Sequence, residues 1–125
     1  MTKGKVERLV RDWQKRLKLD HWDVKVDWSR SPREDCYATT FRRNQYDIAE
    51  LCFDSEYKTW ASDFTEKLIV HELLHLLTRD LDRVVNDLEE VMHLETFRLL
   101  DKRYEHEIEG VVDRLASCFV EAVNG

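Results

Sequence analysis

Residues 64–79 read FTEKLIVHELLHLLTR and predict one continuous helix, because the run contains neither Gly nor Pro. Residues four apart lie on the same face of a helix, so the imidazoles of His71 and His75 point to one place. Glu72 lies about 100° round the helix axis from His71. Two neutral nitrogens and a neighbouring carboxylate are what a catalytic zinc site uses, as ligands and as base. The run therefore predicts a metal site with His71 and His75 as ligands and Glu72 as the base.

The residues around the two histidines bear on a second interpretation, a buried helix with two satisfied core histidines and no metal. Apolar residues occupy most of the helix circumference, which is typical of a buried helix; they are Ile69, Leu73, Leu74, Leu76 and Leu77. Burying an imidazole costs free energy unless each ring nitrogen has a partner. A metal, together with acceptors behind the ligands, provides those partners. We therefore favour the metal site.

The composition is that of one folded domain, residues 1–125. The chain is 42% hydrophobic and 37% charged, an ordinary mixture for a globular domain of this length. Its net charge of −6 disfavours nucleic acid as a partner, since phosphate binding needs a basic face. No segment resembles the roughly 20 apolar residues of a membrane helix, and residues 1–16 lack the apolar core of a secretory signal. Three cysteines (Cys36, Cys52 and Cys118) leave one unpaired in any scheme, so we expect free thiols and a cytoplasmic location.

The order of elements predicts an α+β fold. A helix with an apolar stripe opens the chain, and alternating residues 22–28 predict a half-buried strand. Residues 36–41 and 46–53 predict two more strands joined as a hairpin around residues 43–45, giving a small three-stranded, antiparallel-type sheet. With a three-residue loop, Cys36 would face Cys52. We expect residues 46–53 to form the strand nearest the motif helix, with an edge open to an extended peptide.

The helical part of the chain begins with a predicted capping box, Asp63-Phe64-Thr65-Glu66, at the start of the motif helix. From Leu81 onward the sequence predicts one or two long C-terminal helices. A helix that folds straight back from Asp82 would bring residues 89–93 level with the histidines. Glu109 reaches them only if the chain reverses again, around residues 101–106.

A catalytic zinc needs a third protein ligand. Thr78 and Leu81 stand where a metzincin would carry Gly and His, which excludes that class. The remaining candidates are carboxylates and histidines downstream: Glu89, Glu90, His93, Glu95, Glu105, His106 and Glu109. Glu109 has in its favour that Asp113 lies one turn further on the same face, where it would accept a hydrogen bond from a ligand histidine.

The motifs carry a resemblance to a known family. The HELLH run resembles the zincin metallopeptidase signature, and Glu109 with Asp113 resembles the Glu-x-x-x-Asp continuation of gluzincins. Residues 70–85 and 106–116 are similar to small, single-domain zincin-like proteins of actinobacteriophages and prophages. The similar segments cover about a fifth of the chain. If the chain is phage-encoded, its compartment is the host cytoplasm.

The resemblance implies a zinc-dependent metallopeptidase acting on a peptide or protein substrate. His71, His75 and Glu109 would hold Zn²⁺, and Glu72 would act as general base. A further donor to the developing oxyanion would come from Tyr104, His106 or Arg114. A competing hypothesis is a non-catalytic zinc protein whose metal joins helices and which takes part in a phage–host interaction. The sequence leaves the oligomeric state open.

Overall fold

The computed structural model describes residues 1–43 and 46–125. These residues form four α-helices, one three-stranded sheet and two short 3₁₀ helices, which confirms the predicted α+β class. In chain order the elements are α1 (Lys3–Arg16), β1 (Asp23–Val26), β2 (Ala38–Arg42), β3 (Ile48–Phe53), a 3₁₀ helix (Ser55–Thr59), α2 (Ser62–Leu77), α3 (Arg79–Asp87), a second 3₁₀ helix (Leu88–Glu90) and α4 (Leu94–Asn124). None of the described helices combines the length and the apolar character needed to cross a bilayer.

Helix α1 packs through its apolar stripe. Thr2 caps it, accepting a hydrogen bond at its hydroxyl from the amide of Lys5. Val6, Val10 and Trp13 lie three or four residues apart and are buried. The indole of Trp13 also donates to the buried carboxylate of Glu66 on α2, at 2.8 Å, so one polar contact fixes how the two helices meet.

The sheet is mixed, and this corrects the expectation of antiparallel-type pairing. The strand order is β1-β3-β2. Strand β2 pairs antiparallel with β3 as a hairpin, as predicted, whereas β1 pairs parallel with β3 on its other side. Asp27 ends β1 earlier than predicted, because its carboxylate accepts from the amide and hydroxyl of Ser29 and turns the chain away from the sheet. The chain then crosses over to enter β2 on the far side of β3.

Two predictions about the hairpin are wrong. Residues 46–53 do not supply an edge, because β3 is the middle strand; β2 is the edge strand beside α2. Cys36 does not face Cys52, because β2 begins only at Ala38 and the register places Thr39 opposite Cys52. The expected free thiols agree with the structure, in which all three cysteines are unpaired. Residues 44 and 45 of the predicted hairpin loop lie outside the described residues.

Helix α2 is buried on several sides, as the sequence predicts. Ile69, Val70 and Leu73 have no exposed surface, and each such side chain contributes about 1.5–3 kcal/mol by leaving water. The predicted capping box is wrong. The helix begins at Ser62 without a side-chain cap, and the Glu66 carboxylate accepts from Trp13 and from Asn124 instead.

Helix α4 packs antiparallel to α2 and brings its C-terminal half level with the motif. Tyr104 contacts Asp82 of α3, and further along Asn124 reaches Glu66 near the start of α2. The chain reverses between α3 and α4, around residues 88–93, rather than at the predicted residues 101–106. Because α4 is one continuous helix, residues 89–93 lie in the turn and Glu109 lies opposite the histidines.

Candidate metal centre

Helices α2 and α4 bring three donor side chains together. His71 Nε2 lies 2.7 Å from Glu109 Oε1, and His75 Nε2 lies 3.2 Å from Glu109 Oε2. The two Nε2 atoms are 3.3 Å apart. The histidines converge because they are one turn apart on α2, and Glu109 meets them because α4 runs alongside.

The donor set fits a zinc ion. Ligand atoms of a tetrahedral zinc, with bonds of about 2.0–2.1 Å, are about 3.3–3.4 Å apart. The two Nε2 atoms have that spacing, and each of them lies close to a different oxygen of Glu109. The contact between His71 and Glu109 has the length of a hydrogen bond, so the carboxylate would have to move outward to bind zinc. The Glu109 side chain is 59% exposed, which leaves space for such a shift towards solvent.

The other candidate third ligands do not join this group. Within residues 1–43 and 46–125, His71, His75 and Glu109 form the one group of three metal-ligating side chains with their donor atoms close together. The remaining candidates lie in the turn before α4 or at other positions along that helix; they are Glu89, Glu90, His93, Glu95, Glu105 and His106.

Asp113 stands behind His71, on the side away from the cluster. Its Oδ1 lies 3.3 Å from His71 Nδ1, the ring nitrogen that does not face Glu109. A carboxylate at this position favours a proton on Nδ1 and so leaves Nε2 free to bind a cation. The structure therefore places Asp113 where the sequence predicts an acceptor for a ligand histidine.

The charged groups of the cluster shift the pKa values of His71 and Glu109 in opposite directions. Burial tends to lower the pKa of His71, but the hydrogen bond and charge of Glu109, with the nearby Glu72 and Asp113, raise it overall. The hydrogen bonds from His71 and His75 hold the pKa of Glu109 far below its usual range. In the absence of a cation these interactions favour a protonated His71 beside an ionised Glu109.

Glu72 is buried and lines a groove together with His75 and Glu109. Burial raises the pKa of its carboxyl, while the Thr40 hydroxyl, 2.6 Å from Oε2, acts in the opposite direction. The same hydroxyl lies 3.0 Å from the backbone oxygen of Glu72, so β2 fixes both ends of this residue. A carboxylate with a raised pKa is better matched to proton transfer near neutral pH.

Arg42 is a site residue that the sequence does not reveal. From β2 its guanidinium donates to the backbone oxygen of His75 and pairs with Asp82 of α3. Tyr104, a predicted oxyanion donor, gives its hydroxyl hydrogen to Asp82 instead, at 2.7 Å. No local pattern signals this network, because its partners are 33 and 40 residues from Arg42 in the chain.

The other two predicted oxyanion donors lie outside this groove. His106 and Arg114 are exposed on α4, and neither contributes to the lining beside the cluster. Arg42 does line it, with its side chain 22% exposed. Of these three residues, Arg42 is therefore the one that lines the groove beside the cluster.

The groove has a volume of about 790 Å³ and connects the cluster to the sheet edge. It follows β2 from Ala38 to Arg42 and ends at Glu72, His75 and Glu109. Among the residues that the structure describes, no strand pairs with the outer edge of β2. The donor cluster thus opens on one side into this groove, which is bounded by the unpaired backbone edge of β2.

Comparison of the chain with protein-family models, with curated proteins and with solved structures finds no match in any of the three.

Proposed function

We propose that the protein is a zinc-dependent metallopeptidase that hydrolyses a peptide bond in an extended substrate. The observation that carries the proposal is the convergence of His71, His75 and Glu109, with a buried carboxylate beside them, at the end of an open groove. A purely structural zinc site is closed by four protein ligands, whereas three ligands beside open space are typical of a catalytic one.

Each side chain has a role in this proposal. His71, His75 and Glu109 would hold the zinc, and Asp113 would keep the proton of His71 on Nδ1. When bound, zinc lowers the pKa of a coordinated water and polarises a carbonyl oxygen. Glu72 would accept the proton of the attacking water and pass it to the leaving amine nitrogen.

The substrate would lie along β2. An extended peptide adds to an open strand edge through backbone hydrogen bonds, and its side chains then point alternately to the two faces of the sheet. The groove follows this edge and ends at Glu72, so a peptide paired with β2 would place a bond beside the base. Arg42 would stabilise the oxyanion while remaining fixed by Asp82.

The proposed setting is the cytoplasm, the host cytoplasm if the protein is phage-encoded. Three free cysteines support a reducing compartment. The net charge of −6 gives no support to nucleic acid as the substrate.

Metal binding is tested by elemental analysis of zinc-loaded, desalted protein. We expect one zinc per chain in the wild type and loss of most of it in His75→Ala. The matched control is His106→Ala, an exposed histidine outside the cluster, which should retain the full amount. Equal zinc in all three proteins would contradict the assigned ligands.

Catalysis is tested by Glu72→Gln, which keeps the shape of the side chain and removes the base. The variant should retain its zinc and lose about 10²–10⁴-fold in kcat/KM on a mixed peptide library, the usual contribution of a general base. Undiminished turnover in the variant, or no turnover in the zinc-loaded wild type, would exclude the mechanism.

A second candidate function is a non-catalytic metalloprotein. The three donors bridge α2 and α4, so a bound zinc would also join two long helices. In that case the metal would contribute to folding directly, and its removal would unfold the chain.

A further inference from the structure

Two arginines converge on one aromatic ring at the edge of the groove. The guanidinium carbon of Arg30 lies 3.4 Å from the centre of the Phe41 ring, and that of Arg33 lies 5.4 Å from it. Both come from the crossover between β1 and β2, and Phe41 projects from β2 itself. We call Arg30 and Arg33 the arginine pair. All three residues line the groove that ends at the metal cluster.

The arginine pair lies on the opposite face of the sheet from the metal cluster. Thr40 and Arg42 point towards α2, since they bond to Glu72 and to the backbone of His75. Phe41 lies between them in sequence and therefore points to the other face. The groove thus passes along the edge strand with the cluster on one face and the arginine pair on the other.

The positive charge of the pair is incompletely balanced. Arg30 approaches one carboxylate, Glu50, at 3.6 Å, and both side chains are nearly half exposed. The Asp27 carboxylate is also near Arg30, but it is occupied by the hydrogen bonds from Ser29. Arg33 forms no ion pair within residues 1–43 and 46–125, although the chain as a whole carries a net charge of −6. Stacking on Phe41 orients the guanidiniums and leaves their N–H groups available.

We propose that the arginine pair binds an acidic side chain of the peptide, so that the substrate class is an acidic peptide. This inference rests on the proposed function, because it takes its geometry from a peptide paired with β2. In that geometry every second side chain points to the face of Phe41, and an Asp or Glu there meets the two guanidiniums. The side chains between them point to the face of the metal cluster.

A single carboxylate fits this surface better than the phosphate backbone of a nucleic acid does. Exposed Glu34 and Asp35 directly follow Arg33 in the sequence, and Glu50 lies beside Arg30. A nucleic acid backbone would extend past these carboxylates and be repelled, whereas one side chain reaches the pair and ends there.

The test measures binding to the zinc-loaded Glu72→Gln protein by fluorescence anisotropy. The probes are labelled extended peptides of one sequence in which a single Glu is moved one position at a time, with Gln replacing it in the reference series. We expect Glu to strengthen binding about tenfold over Gln at the position beside Phe41, to strengthen it less two residues to either side, and to change it little at the positions between them. The preference should weaken at high salt, because the pair is exposed.

Three variants assign the preference to the pair. Arg30→Gln/Arg33→Gln should bind Glu and Gln peptides equally, and Arg30→Lys/Arg33→Lys should recover part of the preference through charge alone. The matched control is Arg98→Gln/Arg103→Gln, which removes two exposed arginines of α4 that do not line the groove and should leave binding unchanged.

Several results would overturn the inference. These are equal binding of the Glu and Gln series, a Glu preference without the two-residue period, no effect of the Arg30→Gln/Arg33→Gln change, or equally tight binding of a single-stranded oligonucleotide. Because the readout is peptide binding, it is separate from turnover. A wild-type protein that shows the periodic preference but cleaves no peptide would contradict the peptidase and support the acidic partner.

Discussion

His71 lies between the carboxylates of Glu109 and Asp113, and its proton would decide when the proposed site can accept a cation. Without metal, the raised pKa of His71 stabilises the folded state at pH values below 6.5, the ordinary pKa of histidine, and this contribution is lost as the pH rises through the raised value. The lowered pKa of Glu109 stabilises the folded state above 4.5, its ordinary value, and is lost as the pH falls. The ion pair of the metal-free site is therefore most stabilising between pH 4.5 and pH 6.5. Zinc needs the same imidazole without its Nε2 proton, so metal and proton compete.

Asp113→Asn tests the acceptor behind His71. We expect the variant to bind zinc about 10–100-fold more weakly at neutral and higher pH, because Nδ1 loses its charged partner. The Asp113 charge also raises the pKa of His71, so the variant suffers less competition from protons and the difference from the wild type should shrink as the pH falls. Competition with a chromophoric chelator over a series of pH values measures both effects.

Glu107→Gln is the matched control, since it also removes an exposed carboxylate from α4 but one that pairs with Arg103. It should bind zinc as the wild type does. If Asp113→Asn and Glu107→Gln have the same affinity at every pH, then Asp113 does not act on His71.

At the scale of elements, α4 combines a donor and a helix-weakening residue at neighbouring positions. Gly110 follows Glu109 in the middle of a 31-residue helix, where glycine is unfavourable because the unfolded chain gains freedom. A Cβ at this position would meet only the Arg114 guanidinium at 3.7 Å, an ordinary contact, and the backbone is not in the left-handed region. The structure thus gives no packing reason for glycine here.

Gly110→Ala should stabilise the protein by about 0.5–1 kcal/mol, with zinc affinity unchanged. Urea unfolding of the zinc-free protein measures the change. Gly4→Ala is the control: its Cβ would meet no atom within 4 Å, but it lies in the first turn of α1, where the helix frays and the gain should be smaller. A loss of stability in Gly110→Ala would show that α2 and α4 need closer approach beside Glu109.

At the scale of the whole molecule, the hydrophobic core does not include the proposed metal ligands. Buried residues from α1, the sheet, α2 and α4 form one cluster that includes Trp13, Leu51, Leu73 and Val112. The donors lie at the margin of this core, where His71 and His75 are 13% and 22% exposed. Such a core is expected to fold without a metal.

Removal of zinc by a chelator should therefore lower Tm without unfolding the chain, and far-ultraviolet circular dichroism should retain its helical signal. The difference in Tm between zinc-loaded and chelated protein should grow as the pH rises through the raised pKa of His71, since protons then cease to compete. Loss of the helical signal on chelation would instead support the structural metalloprotein.

Much of the fold was predictable because it follows from the local periodicity of apolar residues. The stripe of α1, the apolar circumference of α2 and the antiparallel hairpin each follow from residues within a few positions of one another. The capping box failed because Glu66 is drawn inward by Trp13 and Asn124, which are 53 and 58 residues away in the chain. The edge strand was misassigned because the order of strands depends on a crossover that has no local signal.

The sequence by itself determined that His71 and His75 share one face of a buried helix with Glu72 beside them, since helical geometry fixes neighbours one turn apart. Only the tertiary structure decided which carboxylate joins them. Glu109 does so because the chain reverses before α4 and that helix packs antiparallel to α2, 38 residues from His71. The roles of Arg42, Thr40 and the arginine pair likewise follow only from the tertiary structure. Contacts between distant segments are set by how whole elements pack, and no short pattern along the chain encodes that.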